Sequence, residues 1–448
     1  MKNKLCIVLF VIVVLIGTAL TGCIGEDEPK ELSLEQQAKQ AVEFLSDENI
    51  AEFYNLSNDE VKSSISVEEI DIIWKNTIAT YGEFEEIVGS RATEEVGYEV
   101  VYVTCNFSTL GLLDIRIVYD EMTQIAGFQF VPTDVSETYE PPEYAIQDKF
   151  TEINVTIGSG KWELPGTLTL PEGEEPFSAV ILVHGSGPND RDETVGPNKP
   201  FKDLAWGIAS QGIAVLRYEK RTKQYPEETA ALTNLTIQEE IIDDAIASVD
   251  LLNITEKIDT NRIFLLGHSL GGMAAPRIAS QENRLSGLIL LAAPTRGLED
   301  LILDQTTYLA NLDGIIDENE AEQIAALEKE VTKVKELNIS EDEFVLGAPK
   351  AYWEELSEYD PVETAENLSI PMLILQGQRD YQVTVKEDFM RWNESFEEEV
   401  NVTLQTYENL NHLFISGIGA PNNTEYLQAG NVEEQVIKDI AAWIKTIQ

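Results

Sequence analysis

The segment Gly267-His268-Ser269-Leu270-Gly271 stands directly behind the apolar run Arg262 to Leu266 and ahead of a stretch rich in small residues. A serine with glycine two places before it and two places after it fits a very tight turn from a buried strand into a helix. Bulkier residues at those two places collide with the adjoining backbone. Gly267 and Gly271 are therefore read as structural, and Ser269 as a nucleophile raised on the turn. Few arrangements of strands and helices offer such a turn, which limits what this chain can fold into.

A serine nucleophile needs an imidazole to take its proton. The chain has only three histidines. His268 lies inside the turn with its side chain directed away from the neighbouring serine, and His184 belongs to a strand-end loop of another kind. His412 remains, in the loop after the strand-like run Asn401 to Tyr407 and near the C-terminus. The order nucleophile, acid, base then asks for a carboxylate after the penultimate strand. Pro371 to Leu375 is an apolar run of that type, and Gln376-Gly377-Gln378-Arg379-Asp380 leaves it. Asp380 is the expected acid, holding His412 in one tautomer. Asp360 precedes the strand and Asp388 belongs to the next helix, so neither has the strand-end position.

The developing oxyanion needs backbone donors. One is expected from the amide of Leu270, at the start of the helix behind the serine. The other is expected from the loop after Ala179 to Val183, which reads His184-Gly185-Ser186-Gly187. The amide of Ser186 is assigned to it, with Gly185 allowing close backbone approach and His184 bonding within the loop. This machinery needs no cofactor. Asn311 to Glu320 half-matches a calcium loop, but its first ligand position falls on Leu309, so Asp317 is read as a helix cap with Glu320 three residues on, and no metal is expected.

The remaining pattern predicts an α/β domain over residues 151–448, a mostly parallel sheet covered by helices. Gly212 to Arg217 and Leu288 to Leu291 read as strands. Lys202 to Gln211, Ile237 to Leu252 and Val432 to Ile447 read as helices. Glu152 to Leu170 reads as an opening hairpin with Pro165-Gly166 as its turn. Residues 295–365 interrupt the alternation with helical character and are read as a lid over the acyl pocket, with Tyr308, Tyr352 and Trp353 as candidate contacts; a helical insertion remote from the pocket is the alternative.

From about Glu152 to Gln448 the sequence resembles the α/β-hydrolase superfamily, in particular prokaryotic esterases also labelled serine aminopeptidase-like. The resemblance rests on His184 to Thr194, on Gly267 to Gly272 and on Gly377 to Val383. It implies a carboxylesterase acting on small acyl esters, with Ser269, Asp380 and His412 as triad. An aminopeptidase or thioesterase uses the same groups, and a non-catalytic cell-surface binding protein on a hydrolase scaffold is a reading of another class.

Ahead of this domain, residues 32–131 show helical periodicity at Leu34 to Leu45 and Val67 to Thr80. Four strand-like runs follow, at Glu83 to Val88, Tyr98 to Phe107, Leu112 to Tyr119 and Ile125 to Val131. Helices followed by a meander predict a small α+β domain. It resembles a cystatin-like domain of unknown function. Binding of a cell-surface protein, substrate presentation and simple spacing are its open roles, and activity in residues 145–448 alone excludes an essential one. Residues 132–150 form the linker. Met1 to Lys4 is basic, Leu5 to Ile16 is apolar, and Leu20-Thr21-Gly22-Cys23 has the form of a lipoprotein cleavage site. Residues 1–22 are thus expected to be a signal peptide, with Cys23 lipidated and residues 23–31 a tether to the membrane; an uncleaved anchor helix is the alternative. Both place the chain on the extracytoplasmic face. Once Cys6 is removed and Cys23 modified, Cys105 is left without a disulfide partner.

The charge balance, 31 basic against 80 acidic residues for a net −49, excludes nucleic acid as a partner, since the chain repels phosphate. Such a surface suits saline surroundings, where screening over roughly 10 Å blunts self-repulsion.

Overall fold

The computed structural model describes residues 32–82, 84–95, 98–108, 111–120, 122–133, 139–312, 314–341 and 343–447. The expectations for the signal peptide, Cys23 and the tether lie outside them, as does Asp313. Among the described residues no helix is long and apolar enough to cross a membrane. The chain divides into two compact units at Ser136/Glu137.

The first unit opens with helix α1 (Leu34–Ser46), whose N-terminus is closed by a capping box between Ser33 and Gln36. The short helices α2 (Ile50–Asn55) and α3 (Asp59–Ser64) follow, then α4 (Val67–Tyr81), capped by Ser66 and Glu69. Strands β1 (Phe84–Glu95), β2 (Tyr98–Phe107), β3 (Gly111–Tyr119) and β4 (Ile125–Pro132) form an antiparallel meander in sequence order. Alternate residues of β2 and β3, among them Val101, Val103, Ile115 and Ile117, face Ala38, Ala41, Val42 and Leu45 of α1. Cys105 is a free buried thiol in that core, and burial pushes its pKa up to about 12.

The second unit carries the expected α/β architecture. Its eight strands are β5 (Phe150–Ile157), β6 (Leu164–Pro171), β7 (Phe177–Val183), β8 (Ala214–Tyr218), β9 (Ile258–His268), β10 (Leu285–Leu291), β13 (Met372–Gly377) and β14 (Val402–Tyr407). They lie in the order β14-β13-β10-β9-β7-β8-β6-β5. The two intervening strands, β11 (Phe344–Val345) and β12 (Ala348–Pro349), form a separate small hairpin. Every pairing from β8 to β14 is parallel, and β5 and β6 add an antiparallel edge.

The central strands are buried on both faces, which explains their continuous apolar runs. Ala179, Ile181, Ile263 and Leu265 face one layer of helices, while Val180, Leu182, Phe264 and Leu266 face the other. The first layer includes α8 (Asp243–Asn253) and α9 (Leu270–Gln281). The second is α5 (Pro200–Ser210) with the closing α15 (Glu434–Thr446). Between β8 and α8 run the short helices α6 (Arg221–Gln224) and α7 (Pro226–Ala230) and a π-helical turn at Gln238–Ile242. After β10 come α10 (Leu298–Ala310), α11 (Glu318–Lys335), α12 (Lys350–Ser357) and α13 (Pro361–Glu366), and α14 (Met390–Phe396) precedes β14. Asp317 caps α11, accepting from the Glu320 amide at 2.8 Å.

One expectation is corrected. The opening hairpin does not turn at Pro165-Gly166, which lies inside β6. The reversal is made by Gly158 and Gly160, both with positive φ. Gly166 is needed within the strand instead, because a side chain there meets Ile157 at 2.5 Å and the Arg217 carbonyl at 3.0 Å.

Candidate active site

Parallel strands of one sheet direct their carboxyl ends to one edge, where the loops leaving β7, β9, β13 and β14 meet. Ser269 sits between the last residue of β9 and the first of α9 with φ 53° and ψ −119°, a left-handed conformation costly for any residue with a side chain. The surrounding backbone imposes it. A Cβ on Gly267 comes within 2.2 Å of the Gly271 carbonyl oxygen, and one on Gly271 within 2.2 Å of the Val183 oxygen. The serine amide donates to the Leu291 carbonyl at 2.9 Å. Leu270 opens α9, whose first amides have no partner within the helix.

The loop after β7 is held by side chains. The Gly185 amide donates to Glu193 Oε1 at 2.7 Å, so it is already engaged. The Gly185 carbonyl accepts from Lys220 Nζ at 2.8 Å and from Asn189 Nδ2 at 3.2 Å. His184 is buried between the rings of Phe201 and Tyr218, with a backbone hydrogen bond to Asp190. Burial lowers its pKa to about 4, which keeps it neutral.

His412 Nδ1 lies 2.7 Å from Asp380 Oδ2, and both side chains are buried. The carboxylate also accepts from the amides of Gln382 and Val383 at 2.8 and 2.9 Å and from Gln376 Nε2 at 2.9 Å. The two loops are laced together. The Arg379 amide donates to the Leu410 carbonyl, the Arg379 guanidinium pairs with Glu425, and Glu425 accepts from Asn411 Nδ2. The competing aspartates are occupied elsewhere. Asp360 caps α13 and pairs with Arg391, whereas Asp388 receives the Thr295 amide and Arg296.

A second carboxylate–imidazole pair stands behind the first, and the sequence reading had no place for it. His268 Nε2 is 3.0 Å from the carbonyl oxygen of His412, with the two rings 4.7 Å apart. Its Nδ1 lies 2.9 Å from Glu193 Oε2, a close ion-pair approach without the alignment of a hydrogen bond. Burial opposes charge on both groups. Burial is the largest single influence on each, but the partner's opposite charge and the hydrogen bonds together outweigh it, raising the His268 pKa and lowering that of Glu193. Glu193 could have been noticed inside the motif His184 to Thr194, but its partners are invisible there.

Ser186, Ser269 and His412 line one cavity of about 460 Å³. Leu298, Leu301 and Ile302 of α10 form part of its apolar wall, which Tyr381, Leu413 and Tyr426 among others complete. Of the three expected aromatic contacts, Tyr308 does not line the cavity itself but stacks at 5.1 Å on Tyr381, which does. Tyr352 and Trp353 do not line it. Both turn into the core, with Tyr352 donating to Glu240 and Trp353 to the Val345 carbonyl. A larger cavity, of about 620 Å³, lies beside α13 with Glu282, Glu358, Asp360 and Glu363 in its walls and is lined by none of Ser186, Ser269, Asp380 and His412. Among the described residues no cluster of His, Cys, Asp and Glu has the form of a metal site.

Residues 174–416 match the family described as serine aminopeptidase, S33, and residues 38–128 match a family described as protein of unknown function, DUF3887. Esterase EstD of Thermotoga maritima is 40% identical over 412 residues, 92% of this chain and 95% of that protein. Est1E from Butyrivibrio proteoclasticus superposes with TM-score 0.43 at 16% identity, covering 65% of this chain and 99% of its own. An esterase of Pyrococcus furiosus superposes with TM-score 0.43 at 17% identity, covering 70% and 96%.

Proposed function

The chain belongs to the serine aminopeptidase S33 family of α/β hydrolases and is a carboxylic ester hydrolase; from this premise we propose that it cleaves neutral esters of small acyl groups through Ser269, His412 and Asp380. His412 takes the proton of Ser269 Oγ as the oxygen adds to the acyl carbon. The amides of Leu270 and Ser186 receive the oxyanion. Collapse expels the alcohol, which takes the proton from His412, and water then attacks the acyl-enzyme with His412 again as base. Asp380 keeps the Nδ1 proton in place so that Nε2 faces the serine, and its hydrogen bonds from Gln376, Gln382 and Val383 fix the orientation of the carboxylate.

One observation carries the choice of ester over aminoacyl substrate. Glu193 is the only carboxylate among the described residues lining the cavity, and its oxygens face the Gly185 amide and His268. An aminopeptidase needs a carboxylate free to bind the substrate ammonium. The test compares wild type with Ser269→Ala on p-nitrophenyl esters of increasing chain length and on aminoacyl anilides. Ester turnover that drops by on the order of 10⁵-fold or more in the variant is expected. Anilide turnover exceeding ester turnover rejects the reading in favour of a peptidase, and folded wild type inactive on both favours a binding role.

The same reading keeps the enzyme outside the membrane, tethered through a lipid on Cys23. Its support is the basic, apolar and Leu20-Thr21-Gly22-Cys23 order of the N-terminal sequence. Mass spectrometry of the mature protein tests it: a diacylated Cys23 N-terminus is expected, and an intact Met1 refutes it.

A further inference from the structure

Lys220 is among the largest side chains withdrawn from solvent, with 2% of its surface exposed, and no step of the reaction above uses it. Its Nζ donates to the Gly185 carbonyl at 2.8 Å and lies 2.6 Å from Glu240 Oε1. The other oxygen of Glu240 accepts from the Tyr352 hydroxyl at 2.8 Å. Glu240 sits in the π-helical turn Gln238–Ile242, where the widened backbone redirects side chains from their regular helical positions. A buried ammonium is tolerated only where a carboxylate and further acceptors receive it. Here the carboxylate is Glu240, and the further acceptor is a loop carbonyl beside the nucleophile.

The effect on that loop follows from peptide geometry. Among the described residues the one cis bond is Glu175-Pro176, so the Gly185–Ser186 unit is trans and planar. In such a unit the carbonyl of Gly185 and the N–H of Ser186 point in opposite directions. Fixing the carbonyl on Lys220 therefore aims the Ser186 amide the other way, and Ser186 lines the cavity together with Ser269 and His412. Glycine on both sides of Ser186, with Gly187 at φ 88°, would otherwise leave this unit free to rotate.

We propose that Lys220, held by Glu240 and Tyr352, is a positioning residue that presets the oxyanion donor of Ser186. The proposal rests on the reading of Ser269 as nucleophile and the Ser186 amide as donor. Its test measures kcat and KM for a p-nitrophenyl ester in Lys220→Met, Glu240→Gln, Tyr352→Phe and Ser269→Ala. Except in Ser269→Ala, it also measures inhibition by an alkyl trifluoromethyl ketone and by the matching methyl ketone. The fluorinated ketone is trapped as a tetrahedral oxyanion adduct of the serine, whereas the methyl ketone binds largely unreacted.

Lys220→Met is expected to lose roughly 100-fold in kcat with KM little changed, and the affinity ratio of the two ketones should fall by a similar factor. Glu240→Gln and Tyr352→Phe should follow with smaller losses in that order. Equal weakening of both ketones, or an unchanged ratio, overturns the proposal, because a merely structural role has no preference for the oxyanion. If Lys220→Met does not fold, an unchanged ratio in both other variants does the same. Activity retained in Ser269→Ala overturns the underlying reading itself. An inactive Ser269→Ala beside an unaffected Lys220→Met overturns the Lys220 proposal alone.

Discussion

The turn carrying Ser269 and the loop carrying Ser186 face the same cavity but are held in unlike ways. The turn is fixed by backbone against backbone: Gly267 and Gly271 leave no room for even one methyl, and the nearest atoms they would strike are backbone carbonyl oxygens, of Gly271 in α9 and of Val183 at the end of β7. The loop is fixed by charged and polar side chains reaching its amide and carbonyl groups, Asn189 and Glu193 from the loop's own later residues and Lys220 from the segment after β8. A backbone clamp cannot relax and does not titrate. A side-chain clamp can do both, so the two halves of the site should answer differently to substitution and to pH.

The largest difference is expected at Gly271. Alanine there places Cβ within 2.2 Å of the Val183 oxygen and 2.6 Å of the His184 oxygen, and nothing nearby can yield. Gly271→Ala should cost about 3 kcal/mol or more in chemical denaturation and abolish ester turnover. A variant that folds and turns over normally breaks the comparison.

The second test uses pH. His184 is neutral in the folded protein with a pKa of about 4, against 6.5 when unfolded. Its contribution is therefore complete above pH 6.5 and lost as pH falls toward 4, because the unfolded chain binds the proton first. That loss amounts to at most about 3 kcal/mol. Denaturation of wild type and His184→Phe across this range should show the two curves converging as pH falls. Parallel curves would remove the pH-sensitive element from the loop.

Glu193→Gln should come next, with about 2 kcal/mol lost and roughly tenfold lower kcat, since His268 then loses its nearest opposite charge. The raised His268 contributes fully below pH 6.5, and the lowered Glu193 fully above pH 4.5. The stability difference should be greatest between those values, and a difference independent of pH would show that the pair is uncharged. The smallest effect belongs to Gly185→Ala, whose Cβ has side-chain atoms as its three nearest neighbours, Ser269 Cβ at 3.1 Å being the closest. About 1 kcal/mol and less than tenfold in kcat are expected. Damage equal to that at Gly271 would erase the distinction altogether.

The same contrast explains what could be read from the chain. The turn announces itself because its constraint is local, two glycines at fixed offsets from a serine. Asp380 and His412 follow from strand order and from the scarcity of histidine, and they stand 2.7 Å apart in the structure. Lys220, Glu240 and Glu193 carry no such mark. One acidic residue out of 80 acquires meaning only through a partner brought near by the fold. Tyr352 and Trp353 were misplaced for a related reason, since an aromatic residue on an amphipathic helix looks the same whether it faces a pocket or the core. The hairpin turn was assigned to Pro165-Gly166 because glycine serves both for turning and for close strand approach, and Gly166 serves the second purpose.

Three aliphatic residues of the cavity wall come from one helix, α10, while Ser186, Ser269 and His412 come from the sheet-end loops and the turn before α9. Substrate range and chemical competence are thus separately heritable. On the proposed mechanism, point changes at Leu298, Leu301 or Ile302 should alter which acyl groups are accommodated while leaving Ser269, Asp380 and His412 in place. Through this helix, a lineage can explore new substrates without first losing its catalyst.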